Sequence, residues 1–155
     1  MAARSPSNGP TVQAHLTVHD ATAALDFYAR AFGAAELFRL VEPSGRIGHA
    51  EFRIGDTVLM LNDEYPDYDA RSPASIGGSP VSFHIRVADA DQAVNRAVAA
   101  GATLVRPVQD QFYGDRSGMV ACPFGYRWSL AATREVLTQD ELQRRWAEMC
   151  AGGGA

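Results

Sequence analysis

Apolar and polar positions alternate from His15 to Val18 and then change period, with Leu25, Tyr28 and Phe32 recurring at helical spacing. The same succession returns 69 residues later, where His84-Ile85-Arg86-Val87 precedes Ala93, Val94, Ala97 and Ala100. Asp20 and Asp89 stand between strand and helix in the two copies, where a carboxylate can accept the orphan N–H groups of a first turn. Gly33 and Gly101 stand where a helix calls for a left-handed residue. Three strand-like stretches follow each helix: Glu36–Val41, Arg46–Ile54 and Thr57–Asn62 in the first copy, and Thr103–Arg106, Gly118–Ala121 and Arg127–Ala131 in the second. Pro43-Ser44-Gly45 and Gly55-Asp56 read as turns. The pattern predicts an α+β chain of two tandem βαβββ modules, residues 11–62 and 80–132. The linker 63–79 shows no period. Thr138 and Glu141 have the spacing of a capping box and open a C-terminal helix within 133–150. Leu142, Trp146 and Met149 form one stripe on it, a pattern that usually packs on its own domain, the alternative being that Trp146 helps form a dimer contact. Residues 1–10 and 151–155 read as a flexible terminus and a tail.

Composition narrows the class. The chain has 155 residues and a net charge of −4, so a basic face for duplex nucleic acid is not expected. All 14 basic residues are Arg. Lysine Schiff-base chemistry and a P-loop lysine are thereby excluded. Cys122 and Cys150 make no metal or redox spacing. No apolar run approaches a membrane span and the first ten residues hold no signal-peptide core. The expectation is a soluble cytoplasmic protein with reduced thiols.

Strand alternation assigns faces. Leu16 and Val18 belong under a helix, which sends Gln13, His15 and Thr17 to the opposite side. Ala50, Phe52 and Ile54 leave His49, Glu51 and Arg53 on that side. In the second copy Phe83, Ile85 and Val87 pack inward, leaving Ser82, His84 and Arg86. Trp128 and Leu130 pair as core, leaving Arg127 and Ser129. Imidazoles at His15, His49 and His84 beside the Glu51 carboxylate suit proton transfer near neutral pH, or a divalent transition metal. Arg86 or Arg127 could hold a carboxylate, phosphate or enolate oxygen. Each His equally suits a plain hydrogen-bonded role on a wet face. The Gln111–Arg116 loop, with Tyr113, has the make-up of a lid, although Asp115 and Arg116 also suit a surface ion pair. Tyr65 and Tyr68 could stack on a planar ligand or anchor the linker. Cys122 reads as buried and inert.

The repeats carry Asp26-Phe27-Tyr28, Ala31-Phe32-Gly33-Ala34, His49-Ala50-Glu51, Val58-Leu59-Met60-Leu61, Phe112-Tyr113-Gly114-Asp115-Arg116 and Pro123-Phe124-Gly125-Tyr126-Arg127-Trp128. Together they resemble the vicinal oxygen chelate superfamily of glyoxalases, bleomycin-resistance proteins and extradiol dioxygenases, in its PhnB-like branch. The resemblance runs from about Val12 to Arg145. It implies two half-barrels with a shared cleft, a small-molecule ligand and a homodimer. In the metal-dependent branch the ligand positions would fall on Gln13, Ser82, Met60 and Ser129, and Met and Ser are poor ligands for a hard divalent cation. The four-ligand site of the branch is therefore not expected; any divalent metal would sit at a displaced site among the imidazoles. PhnB-like relatives also carry His where this chain has Tyr126.

Two functions follow from that reading. One is an enzyme of isomerase or lyase type, with His15, His49, Glu51 and His84 moving protons and Gln13, Arg86, Tyr113, Arg127 and Ser129 holding the substrate. The other is a metal-free protein that sequesters a small molecule or antibiotic. No nucleic-acid or membrane partner is expected.

Overall fold

The computed structural model describes residues 8–153, so the flexible-terminus and tail expectations for 1–7 and 154–155 lie outside the described residues. Each repeat folds as expected. The first comprises β1 (His15–Val18), α1 (Ala21–Phe32), β2 (Ala35–Val41), β3 (Ile47–Ile54) and β4 (Thr57–Asp63). The linker holds a 3-10 turn (Pro66–Tyr68) and a short helix α2 (Pro73–Ile76). The second repeat comprises β5 (Ser82–Arg86), α3 (Ala90–Ala99), β6 (Thr103–Asp110), β7 (Asp115–Ala121) and β8 (Arg127–Thr133), followed by α4 (Gln139–Ala151). Strand orders are β1-β4-β3-β2 and β5-β8-β7-β6. The first strand of each sheet runs parallel to the last, and the other pairs are antiparallel. Among the described residues no helix is long and apolar enough to cross a membrane.

Local chemistry sets the joints. Asp20 caps α1 by accepting from the Ala23 N–H at 2.9 Å, and Asp89 caps α3 by accepting from Gln92 N–H at 3.0 Å. Gly33 ends α1 in the left-handed region (φ 68°), as the sequence predicts. The second copy differs: Ala100 closes α3 in the right-handed region, and Gly101 follows at φ 119°. Asp63, at the end of β4, accepts from Ala21 N–H and Ile47 N–H, both at 2.7 Å. One carboxylate thus ties the start of α1 to the start of β3.

Strands β6, β7 and β8 are longer than the sequence predicts. Pro107 ended the expected sixth strand, but β6 lies at a sheet edge, where a missing N–H is tolerated, and register shifts absorb the irregularity. The aperiodic linker is anchored. Glu64 accepts from Ser72 N–H at 2.7 Å and from the Ser75 hydroxyl, which holds its carboxyl at about 2. Tyr65 donates to Glu42 at 2.8 Å and lies under the Arg46 guanidinium, so it anchors the linker, whereas Tyr68 is exposed. Pro73 packs against Gly125 so closely that a Cβ there would approach it to 2.5 Å.

The modules join through their helix sides. Tyr28 stacks on Phe52 of β3 (centroids 5.2 Å apart) and meets Trp128 of β8 at 5.3 Å. Phe32 and Phe83 approach Trp128 at 4.8 and 4.5 Å. The Tyr28 hydroxyl lies 3.6 Å from buried Cys122, and burial raises its pKa well above 10. Arg30 donates to Ala100 O at 3.0 Å, and Arg96 donates to Arg30 O at 2.7 Å, so each helix end is capped from the other module.

Asp63→Ala strands two buried N–H groups, at about 1–3 kcal/mol each. The expected loss is roughly 2–6 kcal/mol, read as a lower urea midpoint at unchanged slope.

Candidate functional site

Because the helix sides of both sheets meet at α1, the opposite faces are turned away from it. The first sheet's polar face reads in rows across the strands. His15 pairs with Met60, which pairs with Glu51, which pairs with Phe38. One row further stand Thr17, Asn62, His49 and Leu40. The alternation expected for β1 and β3 holds: Leu16, Val18, Ala50 and Phe52 are buried beneath α1.

This face brings three predicted residues together. The His15 and His49 rings meet edge to face with centroids 5.5 Å apart. His49 Nε2 lies 3.6 Å from Glu51 Oε1, and the carboxylate is buried. Phe38 covers the other side of His49 at 5.8 Å. Burial, and then the neighbouring His49 charge, lower the pKa of His15; a hydrogen bond with Asn62 opposes them. The lowered pKa favours the neutral form of His15, a proton acceptor, and the Glu51 carboxylate lies beside His49. Asn62 is buried and donates to Thr17 Oγ1 at 3.3 Å and to Asp63 O at 2.6 Å. It was missed in the sequence, where it only ended a predicted strand. Its place two residues after Met60 was the available signal.

His84 occupies the equivalent position on the second sheet, opposite Ser129, which pairs with Met119. Within one chain His15 and His84 do not face each other, because the aromatic layer around Tyr28 and Trp128 separates the sheets. Arg86 donates through Nη1 to both oxygens of buried Asp115 (3.0 and 3.1 Å) and to Thr133 Oγ1 (2.9 Å). Asp115 and Arg116 are thus not a pair; Arg116 binds Asp91 and Asp110 instead. Arg127 opens β8 on the same face as Ser129. Tyr113 lies 3.2 Å from Ser117 Oγ, and its loop is held by Arg145, which donates to Phe112 O, and by Trp146 against Phe112. The Trp146 stripe packs locally on that side and stays half-exposed. A separate groove of about 560 Å³ lies where the β3–β4 turn meets β5, walled by Phe32, Leu59, Phe83, Trp128 and the strand around His84.

The residues do not suit a resident metal. Gln13 turns its amide to donate to Val58 O at 3.2 Å, and Met60, Ser82 and Ser129 complete a poor donor set for a hard cation. The displaced site fares no better. Among the described residues no three His, Cys, Asp or Glu are placed to hold an ion, and His84 stands on the other sheet from His15, His49 and Glu51.

The profile of the Glyoxalase/Bleomycin resistance protein/Dioxygenase superfamily matches residues 11–130. The uncharacterized protein Mb0911c of Mycobacterium bovis is 44% identical over 137 residues, covering 86% of this chain and 90% of its own. The X-ray structure of the Arabidopsis thaliana At5g48480 product superposes with a TM-score of 0.65 at 28% identity, over 79% of this chain and 98% of that one. The PhnB protein of Bacillus cereus shares the fold with a TM-score of 0.62 at 15% identity, over 80% and 100%.

His15 has its ordinary value, 6.5, in the unfolded chain and a lower one when folded. As pH falls through 6.5 the unfolded state takes up a proton first, so His15 costs stability below that pH and not above it. NMR titration should place the His15 midpoint below 6.5, and His49→Ala should move it upward. An unmoved midpoint would remove His49 as a cause.

Proposed function

The chain belongs to the Glyoxalase/Bleomycin resistance protein/Dioxygenase superfamily, and on that premise we propose that it moves a proton within a small oxygenated metabolite, without a metal of the family's four-ligand kind. The observation that carries this reading is the edge-to-face approach of His15 and His49 beside the buried Glu51 carboxylate, with the pKa of His15 lowered. Neutral His15 takes a proton from carbon beside a carbonyl. Glu51 orients His49, so that His49 can return a proton to the neighbouring carbon or to a leaving oxygen. His84 and Arg127 would meet the enolate oxygen, with Gln13, Arg86, Tyr113 and Ser129 around the rest of the molecule.

For His84 to reach that substrate, the first sheet of one copy must face the second sheet of another, in a homodimer. The open outer edges of β1 and β5, each last in its sheet, support that pairing. Sedimentation equilibrium should give a dimer; a monomer at micromolar concentration would leave the two half-sites apart.

A second reading, sequestration without chemistry, is favoured by the apolar Phe38, Leu40 and Met60 on the same face. Incubating α-hydroxycarbonyl compounds with the protein in D2O separates the two. Proton transfer predicts solvent deuterium at the acidic carbon, slowed about 10²–10⁴-fold by His49→Ala or Glu51→Gln. Ligand bound and returned without deuterium would establish the binder.

A further inference from the structure

The second sheet carries a feature of its own. Its polar face holds Arg86, Arg106 and Arg127, against one strand carboxylate, Asp115. Asp115 is taken by Arg86. Arg106 reaches this face through a bulge. Leu104 pairs with Val120 on the helix side, yet Arg106, two residues on, pairs with Met119 on the polar side. Plain alternation would have kept Arg106 with Leu104; the extra residue turns it over.

There Arg106 borders a small hollow with Gln111, Tyr113, Ser117, Met119 and Ser129. The Arg106 guanidinium donates through Nη2 to the Met119 sulfur at 3.4 Å, a weak acceptor. Elsewhere the described arginines commonly meet carboxylates, as Arg39, Arg116, Arg144 and Arg145 do. Around the hollow stand three hydroxyls, an amide and a guanidinium, and no carboxylate lines it. Tyr113 and Ser117 lie within 3.2 Å of one another, and Gln111 donates to Ser117 O at 3.4 Å, so the loop and the strand hold the hydroxyls in place. The free space is about 20 Å³, room for a water-sized group and not for a whole metabolite.

We infer that this hollow is an anion subsite, in which Arg106, with the hydroxyls of Tyr113, Ser117 and Ser129, receives an oxygen of the carboxylate or phosphate end of the molecule the protein handles. Guanidinium supplies a fork of donors and hydroxyls donate from the sides; the nearest carboxylate on the strand face, Asp115, is held by Arg86 and does not line the hollow. Arg127, two residues before Ser129 on β8, adds positive charge about 7 Å along the strand. As a statement about substrate class the inference rests on the proton-transfer reading above; as a statement about anion binding it does not.

The test is a ¹H–¹⁵N titration of the full chain at constant ionic strength, with inorganic phosphate in one arm and glycolate in the other. The expected result is saturable shifts confined to Arg106, Tyr113, Ser117 and Ser129, with millimolar affinity. Arg106→Gln should weaken binding at least tenfold and Arg106→Lys less, because Lys keeps the charge but not the fork. The arm that binds more tightly identifies the anion. Arg106 is exposed on an edge strand, so an unchanged spectrum away from the hollow confirms that the variants fold. Absence of shifts in both arms, shifts spread over all arginines, or equal affinity in Arg106→Gln would overturn the inference. Deuterium exchange reads the other proposal separately: localised anion binding without exchange leaves the subsite and removes the chemistry, while exchange with no anion effect does the reverse.

Discussion

Tyr28 lies between Phe52 of one sheet and Trp128 of the other, and this aromatic layer determines how the repeats meet. Each aromatic pair adds about 0.5–1.5 kcal/mol beyond the area it buries. Phe32, Phe83 and Phe124 extend the layer around α1. Neither repeat could bury these rings alone. Once they are shared, both sheets must show their helix sides to one another, and both polar faces must turn outward. Arg30 and Arg96 lock the same arrangement at the helix ends.

That constraint divides the chemistry between two surfaces. The first carries two imidazoles, that of His15 with a lowered pKa, and a buried carboxylate. The second carries arginines, hydroxyls and one imidazole. Equivalent positions have diverged in charge, as His49 and Glu51 on one sheet against Ser117 and Met119 on the other show. A duplicated frame thus offers two different halves, imidazoles and a carboxylate on one and arginines and hydroxyls on the other.

The linker and the C-terminal helix serve these faces indirectly. Tyr65 fastens the linker to the turn between β2 and β3 and Pro73 packs it on the turn between β7 and β8, while Glu64 ties the linker to itself through Ser72 and Ser75. Arg145 and Trp146 hold the Phe112–Tyr113 loop, which places the Tyr113 hydroxyl over Ser117. The pair expected between Asp115 and Arg116 is replaced by Arg86–Asp115, because adjacent strand residues point to opposite faces of the sheet.

The sequence by itself determined the two repeats, their caps at Asp20, Asp89 and Thr138, and the faces of β1, β3, β5 and β8. These follow from periods of 2 and 3.6 and from short-range hydrogen bonding, which a single stretch of chain carries in full. It also placed His15, His49 and Glu51 on one surface, since alternation and the order of strands suffice for that. Only the tertiary structure decided that His84 stands apart from them, because the shared aromatic layer is a contact between residues about a hundred positions apart. Only it decided that Asn62 supports His15, and that Arg106 stands on the polar face. A bulge reverses alternation wherever it occurs, and its position depends on the partner strand, which the local pattern of residues does not contain.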